Sequence, residues 1–410
     1  MKILHTVKQY HPSSGGMYEV VKQLSKNLTK LGHDVTIATT KLPANYNPDY
    51  DKIKEFAISG DLVVGLKGEV KKYQKFLINS SFDIITNFAA QQPMTDAMLP
   101  ILDRIKAKKV FVPTGFSAFY MPEYKKYFEN MKTWMRKYDM NVFLSNNYRD
   151  INFARKNKIK NITVIPNGAS KEEFLNDYNI NIRKRLLIPT DAFFILHVGS
   201  HTKQKGHKEA IEIFSKAKIN NAVFLIIGNP GACLKSCEKQ AKKLNKSKNY
   251  KKYNKRLIIK HLSRKETIAA YKEADLFLFP SNTECSPIVL FECMASKTPF
   301  LVTDVGNAKE IIEWSGAGKL LPTKKRYYID PLPISILKNL IKIALNTKSY
   351  KKLFSVAKTK ESALILEQVY NDKKELDIMS KNGYDAWLNK FNWEKISKDY
   401  ERLYQQILNA

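Results

Sequence analysis

The sequence predicts an α/β protein built from two doubly wound, Rossmann-like domains. Three observations carry that prediction. The chain is 410 residues long, enough for two full cores. Short apolar runs alternate with helical patterns through both halves, as they do in parallel sheets with helices between the strands. A polar connection at 176–191 (NDYNINIRKRLLIPTD) separates the two series.

In the first half the strand candidates are KILHTV, HDVTIAT, DIITNF, KKVFVPTG, MNVFLSN and NITVIPNG. Between the first two, Val20, Val21, Leu24, Leu28 and Leu31 fall on one helical face, and Gly32 closes the helix. The second half runs FFILHVG, AVFLIIG, RLIIKHL, DLFLFPS, TPFLVTD and GKLLPT. Its lysine-dense stretch at 234–256 reads as a solvated helix and loop between two strands, or as a contact surface for acidic partners. The region 327–383 is helical by pattern. Ligands of open α/β sheets lie beyond the carboxyl ends of strands. The loops after FFILHVG and DLFLFPS both start at such ends, which puts them on one rim.

Composition narrows the function classes. With 44% hydrophobic and 11% aromatic residues the chain is not globally disordered. No run approaches 18 apolar residues, and the N-terminus leads straight into a strand without signal-peptide character, so a cytosolic location is expected. Four cysteines are too few for a disulfide framework. Cys233 and Cys237 have no second ligand pair at zinc-like spacing and read as reduced thiols; Cys285 and Cys293 read as small hydrophobes. A net charge of +30 favours anionic partners, namely nucleic acid, acidic lipid or phosphorylated substrates, although codon bias toward lysine gives the same composition. No RNA-recognition motif, zinc finger or helix-turn-helix supports nucleic acid. The mixture of aromatics, methionine and lysine at 119–138 suits either an interfacial helix on an anionic membrane or an ordinary amphipathic one.

Residues 277–312 (FLFPSNTECSPIVLFECMASKTPFLVTDVGNAKEII) are the most informative segment. Ser286 and Pro287 have the chemistry of a helix N-cap and first-turn proline. Glu284 then lies on the loop, and Glu292 lies within the helix, roughly 7–8 Å further along its axis. Between them the amides of Ile288 and Val289 are orphan donors at the positive end of the helix, a place for a diphosphate. Carboxylates flanking an anion are poor phosphate ligands and good acceptors for sugar hydroxyls. Glu284 is therefore assigned to a donor sugar and Glu292 to a ribose.

This Glu-x7-Glu segment resembles the signature of the retaining glycosyltransferases of family 4, which adopt the GT-B fold of two Rossmann-like domains facing each other across a cleft. Four further motifs extend the resemblance along the chain: SSGGMYEVVKQLSKNLTKLGHDV near the start, VIPNGAS (164–170), VGSHTKQKG (198–206) and FNWEKISKDYERLY (391–404). It implies an acceptor-side domain at 1–178, with a C-terminal helix at about 391–410 packing back on it, and a nucleotide-sugar domain at 185–385. Lys205 is the expected stabiliser of the leaving diphosphate, because its glycine-flanked loop precedes a helix starting near His207. Gly199 and Ser200 share that loop. Gly15 and Gly16 allow close approach of the first loop to the diphosphate or acceptor, and the family resemblance places the nucleotide base against the backbone of His261 and Leu262.

Two departures stand out. Ser200 stands where family members commonly carry an arginine, which removes a bidentate phosphate donor: either Lys203 or His201 compensates, or the phosphate clamp is weaker. Thr114 stands where relatives place a histidine, and a threonine bonds a sugar hydroxyl without serving as a base. The resemblance implies sugar transfer from a nucleotide-diphospho-sugar to an acceptor hydroxyl that the sequence leaves open, in glycan, glycolipid or glycoconjugate synthesis. Positive charge from lysine and helix ends makes a bound metal unnecessary, so no cofactor is expected. A nucleotide-sugar epimerase on the same fold and a basic nucleic-acid-binding protein are the competing expectations.

Overall fold

The computed structural model describes residues 1–11, 15–328 and 352–410. The first sheet has seven parallel strands: β1 (Lys2–Val7), β2 (Asp34–Thr40), β3 (Ile53–Phe56), β4 (Ile84–Phe88), β5 (Lys108–Val112), β6 (Met140–Phe143) and β7 (Ile162–Val164). Their order is β3-β2-β1-β4-β5-β6-β7. The second sheet has six: β8 (Phe193–Val198), β9 (Ala222–Ile227), β10 (Lys255–Lys260), β11 (Leu276–Phe279), β12 (Phe300–Thr303) and β13 (Gly318–Leu321), in the order β10-β9-β8-β11-β12-β13. Every strand pair within both sheets is parallel. The protein is therefore two Rossmann-like sheets with helices between their strands, the predicted fold class.

Each element has a local reason. The helix Gly16–Lys30 buries Val20, Val21, Leu24 and Leu28 at helical spacing, and Gly32, at φ 87, follows its end. The strands of the second sheet are apolar almost throughout because helices cover both faces; all six residues of β9 are buried. β3 escapes the sequence pattern because it is a four-residue edge strand that exposes Lys54 and Glu55.

Three sequence expectations need correction or placement. Residues 323–328 and 352–357 form an antiparallel pair, where a helical pattern is expected from 327 onward; among the described residues of that region the helices begin at Thr359. Residues 329–351 of that region lie outside the described ones. The helix Lys125–Lys137 turns Tyr127, Phe128, Met131 and Met135 into the core, as an ordinary amphipathic helix does, and the exposed apolar side chains of 119–138 are Tyr120 and Met121. The lysine-dense stretch forms two helices, Leu234–Asn245 and Lys248–Lys252, that bury Cys237, Ala241 and Tyr250 and leave most lysines to solvent. Among the described residues no helix is long and apolar enough to cross a membrane.

The last helix, Trp393–Asn409, packs on the first domain. Trp393, Ile396, Tyr400 and Tyr404 join Val21, Leu24 and Leu28 in one core. Within that core His5 of β1 is fully buried, with Nδ1 2.8 Å from Ser25 Oγ and Nε2 3.5 Å from Tyr404 Oη. Burial pushes its imidazole down to about 3. The unfolded chain takes up that proton at about pH 6.5 and the folded one does not, so folding stability falls as the pH drops from about 6.5 toward 3, by up to ~1.4 kcal/mol per pH unit from this group. His5→Gln should flatten that part of the stability profile in urea titrations run across the window. Parallel profiles for the two proteins would remove His5 as a source.

Candidate active site at the interdomain cleft

In the second sheet, β8 and β11 are neighbours from which the chain diverges in opposite directions. The loops after both strands therefore flank the switch point where doubly wound sheets bind ligands. They touch. Gly206, left-handed at φ 69, opens the helix His207–Lys216, and a Cβ there would lie 1.9 Å from the Pro280 carbonyl oxygen, so only glycine fits. This contact brings Lys205 Nζ to 2.7 Å from Glu284 Oε1, with the lysine side chain 31% exposed and the glutamate 10%. Ser281 Oγ donates to the same carboxylate oxygen at 2.8 Å. The two residues predicted from separate motifs form one ion pair.

The following helix starts one residue later than its sequence suggests. It spans Ile288–Ala295 with Pro287 at the N-cap, and no side chain caps it. Ser286 fails as a cap because Asn307 Nδ2 donates to its hydroxyl at 3.2 Å. Ile288 and Val289 remain the first two helical residues, whose amides have no intrahelical carbonyl. Gly16 is the first residue of the helix Gly16–Lys30 and not a loop residue, with Gly15 at its N-cap. A Cβ on Gly16 would sit 3.4 Å from Ile288 Cδ1. Two helix N-termini, one from each domain, thus converge at the cleft, and both favour negative charge.

Glu292 is 5% exposed in its side chain and is held by Arg264, whose Nη1 lies 2.5 Å from Glu292 Oε1. Arg264 Nη2 also binds Glu173 Oε2 at 2.7 Å, and Glu173 lies 3.8 Å from Lys22 Nζ. Burial works against the Arg264 charge, but Glu292, Glu173 and Glu19 more than offset it and hold the guanidinium well above its ordinary range. Arg264 opens the helix Arg264–Glu273, set by a complete capping box between Ser263 and Glu266. That box announces a helix start and says nothing about Arg264, which no sequence signal marks as a partner of Glu292.

The remaining expected residues are dispersed around this centre. Gly199 and Ser200 follow β8 and are half-buried. Lys203 is exposed, and the buried His201 ring faces Cys233. His261 is exposed between β10 and Ser263, whereas the Leu262 side chain packs on the second-domain core. Thr114 is left-handed at φ 56, and the Gly115 amide donates to Asp150 Oδ2 at 2.8 Å. Gly115 faces Tyr148 and Cys285 closely, placing the Thr114 turn beside the glutamate loop. Burial pushes the thiols of Cys285 and Cys293 well above their ordinary range, in keeping with packing roles.

Polar bonds tie the domains together around the cleft. Glu310 accepts from Ser145 Oγ at 2.5 Å and from the Asn146 and Asn147 amides at 2.7 and 2.9 Å. Asn307 Nδ2 donates to the Leu144 carbonyl at 2.8 Å, Asn167 Nδ2 to the Ser286 carbonyl at 3.2 Å, and the Tyr148 hydroxyl to the Glu284 carbonyl. The chain holds a single Asp-x-Asp triplet, Asp49-Tyr50-Asp51. Lys22 and Lys26 both lie 3.4 Å from Asp49 Oδ2. Among the described residues the one group of potential metal ligands is His201, Cys233 and Cys237.

The family profile "Glycosyltransferase Family 4" matches residues 14–173, and "Glycosyl transferases group 1" matches 179–353. The chain belongs to the family 4 glycosyltransferases of group 1. This family 4 enzyme is 22% identical over 444 residues to a probable sucrose-phosphate synthase of Thermosipho melanesiensis, covering 97% of this chain and 92% of that one. The sucrose-phosphate synthase structure from Thermosynechococcus elongatus superposes with a TM-score of 0.71 at 18% identity, over 100% and 99% of the two chains. HepE of Anabaena, solved in complex with UDP-glucose, gives 0.66 at 14% identity, over 99% and 100%.

The acidic cluster around Arg264 yields a stability test. Arg264→Ala leaves Glu292 and Glu173 without their nearest cation and should cost about 2–3 kcal/mol in urea unfolding. The cost stays below that of a fully enclosed pair because the arginine side chain is 37% exposed. Unchanged stability would show that solvent already compensates these carboxylates.

Proposed function

We propose that this glycosyltransferase moves a sugar, with retention of anomeric configuration, from a nucleotide-diphospho-sugar to an acceptor hydroxyl in glycan, glycolipid or glycoconjugate synthesis. The observation that carries the reading is the Lys205–Glu284 pair beside the convergent helix ends at Gly16 and Ile288. A diphosphate needs positive charge, and a sugar needs acceptors for its hydroxyls. Lys205 and the helix N-termini supply the first, and Glu284, 2.7 Å from the Lys205 ammonium, supplies the second. The complex of the HepE relative with UDP-glucose supports the donor class. A cytosolic setting belongs to the same proposal, and the four cysteines are free thiols, as a reducing compartment keeps them.

As the glycosidic bond loosens, charge grows on the departing diphosphate. Lys205 and the first amides of the helix Ile288–Ala295 stabilise that charge, so their interaction is stronger in the transition state than with bound donor. Glu284 orients the donor sugar. Glu292, steadied by Arg264, accepts from the ribose hydroxyls. Thr114 offers no base, so the leaving phosphate itself assists the acceptor hydroxyl.

Three variants test these roles. Lys205→Ala should lower kcat on the order of 10²-fold or more. Glu284→Gln should also lower turnover, by weakening the bonds that orient the sugar. Glu292→Gln should raise KM for the donor more than it lowers kcat, since ribose is held similarly throughout. A thermal-shift screen with UDP-, GDP- and ADP-glucose identifies the donor for these assays, because ligand binding to the folded state raises the melting temperature. Wild-type transfer rates in folded Lys205 and Glu284 variants would refute the site; epimer formation without transfer would point to an epimerase.

The proposed reaction uses no oxygen-ligated divalent ion. Mg²⁺ seeks carboxylate and phosphate oxygens together, and Asp49 of the single Asp-x-Asp triplet is already matched with two lysines. Transfer by protein freed of Mg²⁺ and Mn²⁺ should therefore match transfer in their presence. A strict requirement for either ion defeats this part of the proposal.

A further inference from the structure

Cys233 is the N-cap of the helix Leu234–Asn245, and Cys237 lies one turn on, with its amide bonded to the Cys233 carbonyl at 3.0 Å. Residues four apart share a helix face, so both thiols look the same way. His201, 32 residues earlier in the chain, faces them. Its Nδ1 lies 3.6 Å from Cys233 Sγ, and one ligand atom from each of the three residues lies within 4.8 Å of the others. The juxtaposition is built into the backbone. His201 N donates to the Asn229 carbonyl at 3.0 Å, and Cys233 N donates to the His201 carbonyl at 3.2 Å. A Cβ on Gly231 would lie 2.5 Å from that carbonyl oxygen, so the turn before Cys233 needs a glycine to close on His201. The His201 residue is fully buried, and its Nε2 has no hydrogen-bond partner among the described residues.

We propose that His201, Cys233 and Cys237 bind one Zn²⁺ ion, which clips the loop carrying Lys205 to the start of the helix Leu234–Asn245. Two thiolates and an imidazole are a soft donor set that selects Zn²⁺ over Mg²⁺ or Ca²⁺. Ligands of tetrahedral zinc sit about 2.0–2.3 Å from the ion, hence roughly 3.5 Å apart, so the three groups need move only about an ångström. Glu238, next in the helix after Cys237, acts electrostatically on both Cys237 and His201, adding negative charge that favours a cation. Cys233 is half-buried, which leaves that side open for a fourth ligand such as water. The ion-binding site stands on this geometry alone; its influence on Lys205 rests on the donor reading given above.

The test reads metal and not activity. Reduced protein is loaded with Zn²⁺, passed over a chelating resin and analysed for metal, with circular dichroism confirming the fold. Wild type and Cys293→Ser, which alters a buried thiol elsewhere, should each retain about one ion per chain, and Cys233→Ser and Cys237→Ser should weaken retention at least ~10-fold. Replacing Zn²⁺ by Co²⁺ should give a thiolate-to-metal charge-transfer band that falls in each of the two serine variants. Should Cys237→Ser fail to fold, the half-exposed Cys233→Ser carries the comparison. No retained metal in wild type, equal retention in all variants, or a Cys233–Cys237 disulfide that persists under the loading conditions overturns the proposal.

Discussion

The cleft is governed by the cost of keeping carboxylates out of water. Glu284 and Glu292 retain 10% and 5% of their side-chain exposure, and each is tolerable only beside a cation. Lys205 and Arg264 serve that need from other elements: a loop 79 residues before Glu284, and the first turn of the helix between β10 and β11. Their positions follow from backbone features. Gly206 lets one loop close on Pro280, and the capping box at Ser263 fixes where the Arg264 helix starts. The domain packing, helix starts and charge placement are therefore one problem, because moving any of these loops strands a buried charge.

The order of strands and the two chemically active loops are legible in the sequence, since alternation of apolar runs with helical faces reports βα units directly. Placement of Lys205 and Glu284 on one rim follows from strand polarity alone. That they meet does not. It depends on β8 and β11 being spatial neighbours although β9 and β10 intervene in the chain. The misses share a cause. Ser286 has the chemistry of a cap, but Asn307, 21 residues on, claims its hydroxyl. Arg264 is an unremarkable basic residue until Glu292 and Glu173 are beside it. His201 and the cysteine pair belong to different βα loops, and spacing along the chain cannot reveal a group completed in space. β3 and the pair at 323–328 and 352–357 are edge or peripheral strands whose exposed or charged residues mask a two-residue period.

The interdomain bonds are mostly from side chains to backbone atoms, with Glu310 and Asn307 reaching the turn after β6. Such contacts are directional but individually modest, about 0.5–1.5 kcal/mol net, or somewhat more where a carboxylate takes part. They hold the domains in one arrangement at a cost that ligand binding is able to offset, whereas a large apolar interface would fix the cleft permanently. A transferase of the proposed kind needs this balance, because donor entry and release of the nucleotide product use the same opening.

In the proposed reaction the same economy lets the site work with Ser200 at the place where the family resemblance expects an arginine. Lys205 is already matched by Glu284, so its ammonium is not a free charge awaiting a ligand. In the proposed reaction the diphosphate competes with Glu284 for that ammonium while the donor sugar offers hydroxyls to the carboxylate, so each partner released gains a new one. The exchange avoids an uncompensated charge at every stage. In that proposal the helix ends at Gly16 and Ile288, whose fixed dipoles need no counter-ion, take the place of a bidentate clamp. In the proposed reaction a net charge of +30, with many lysines exposed, would act at longer range by raising the local concentration of an anionic donor, an effect that salt screens. Affinity at the cleft and attraction toward it are thus separate properties: the first belongs to a few compensated side chains, the second to the surface as a whole.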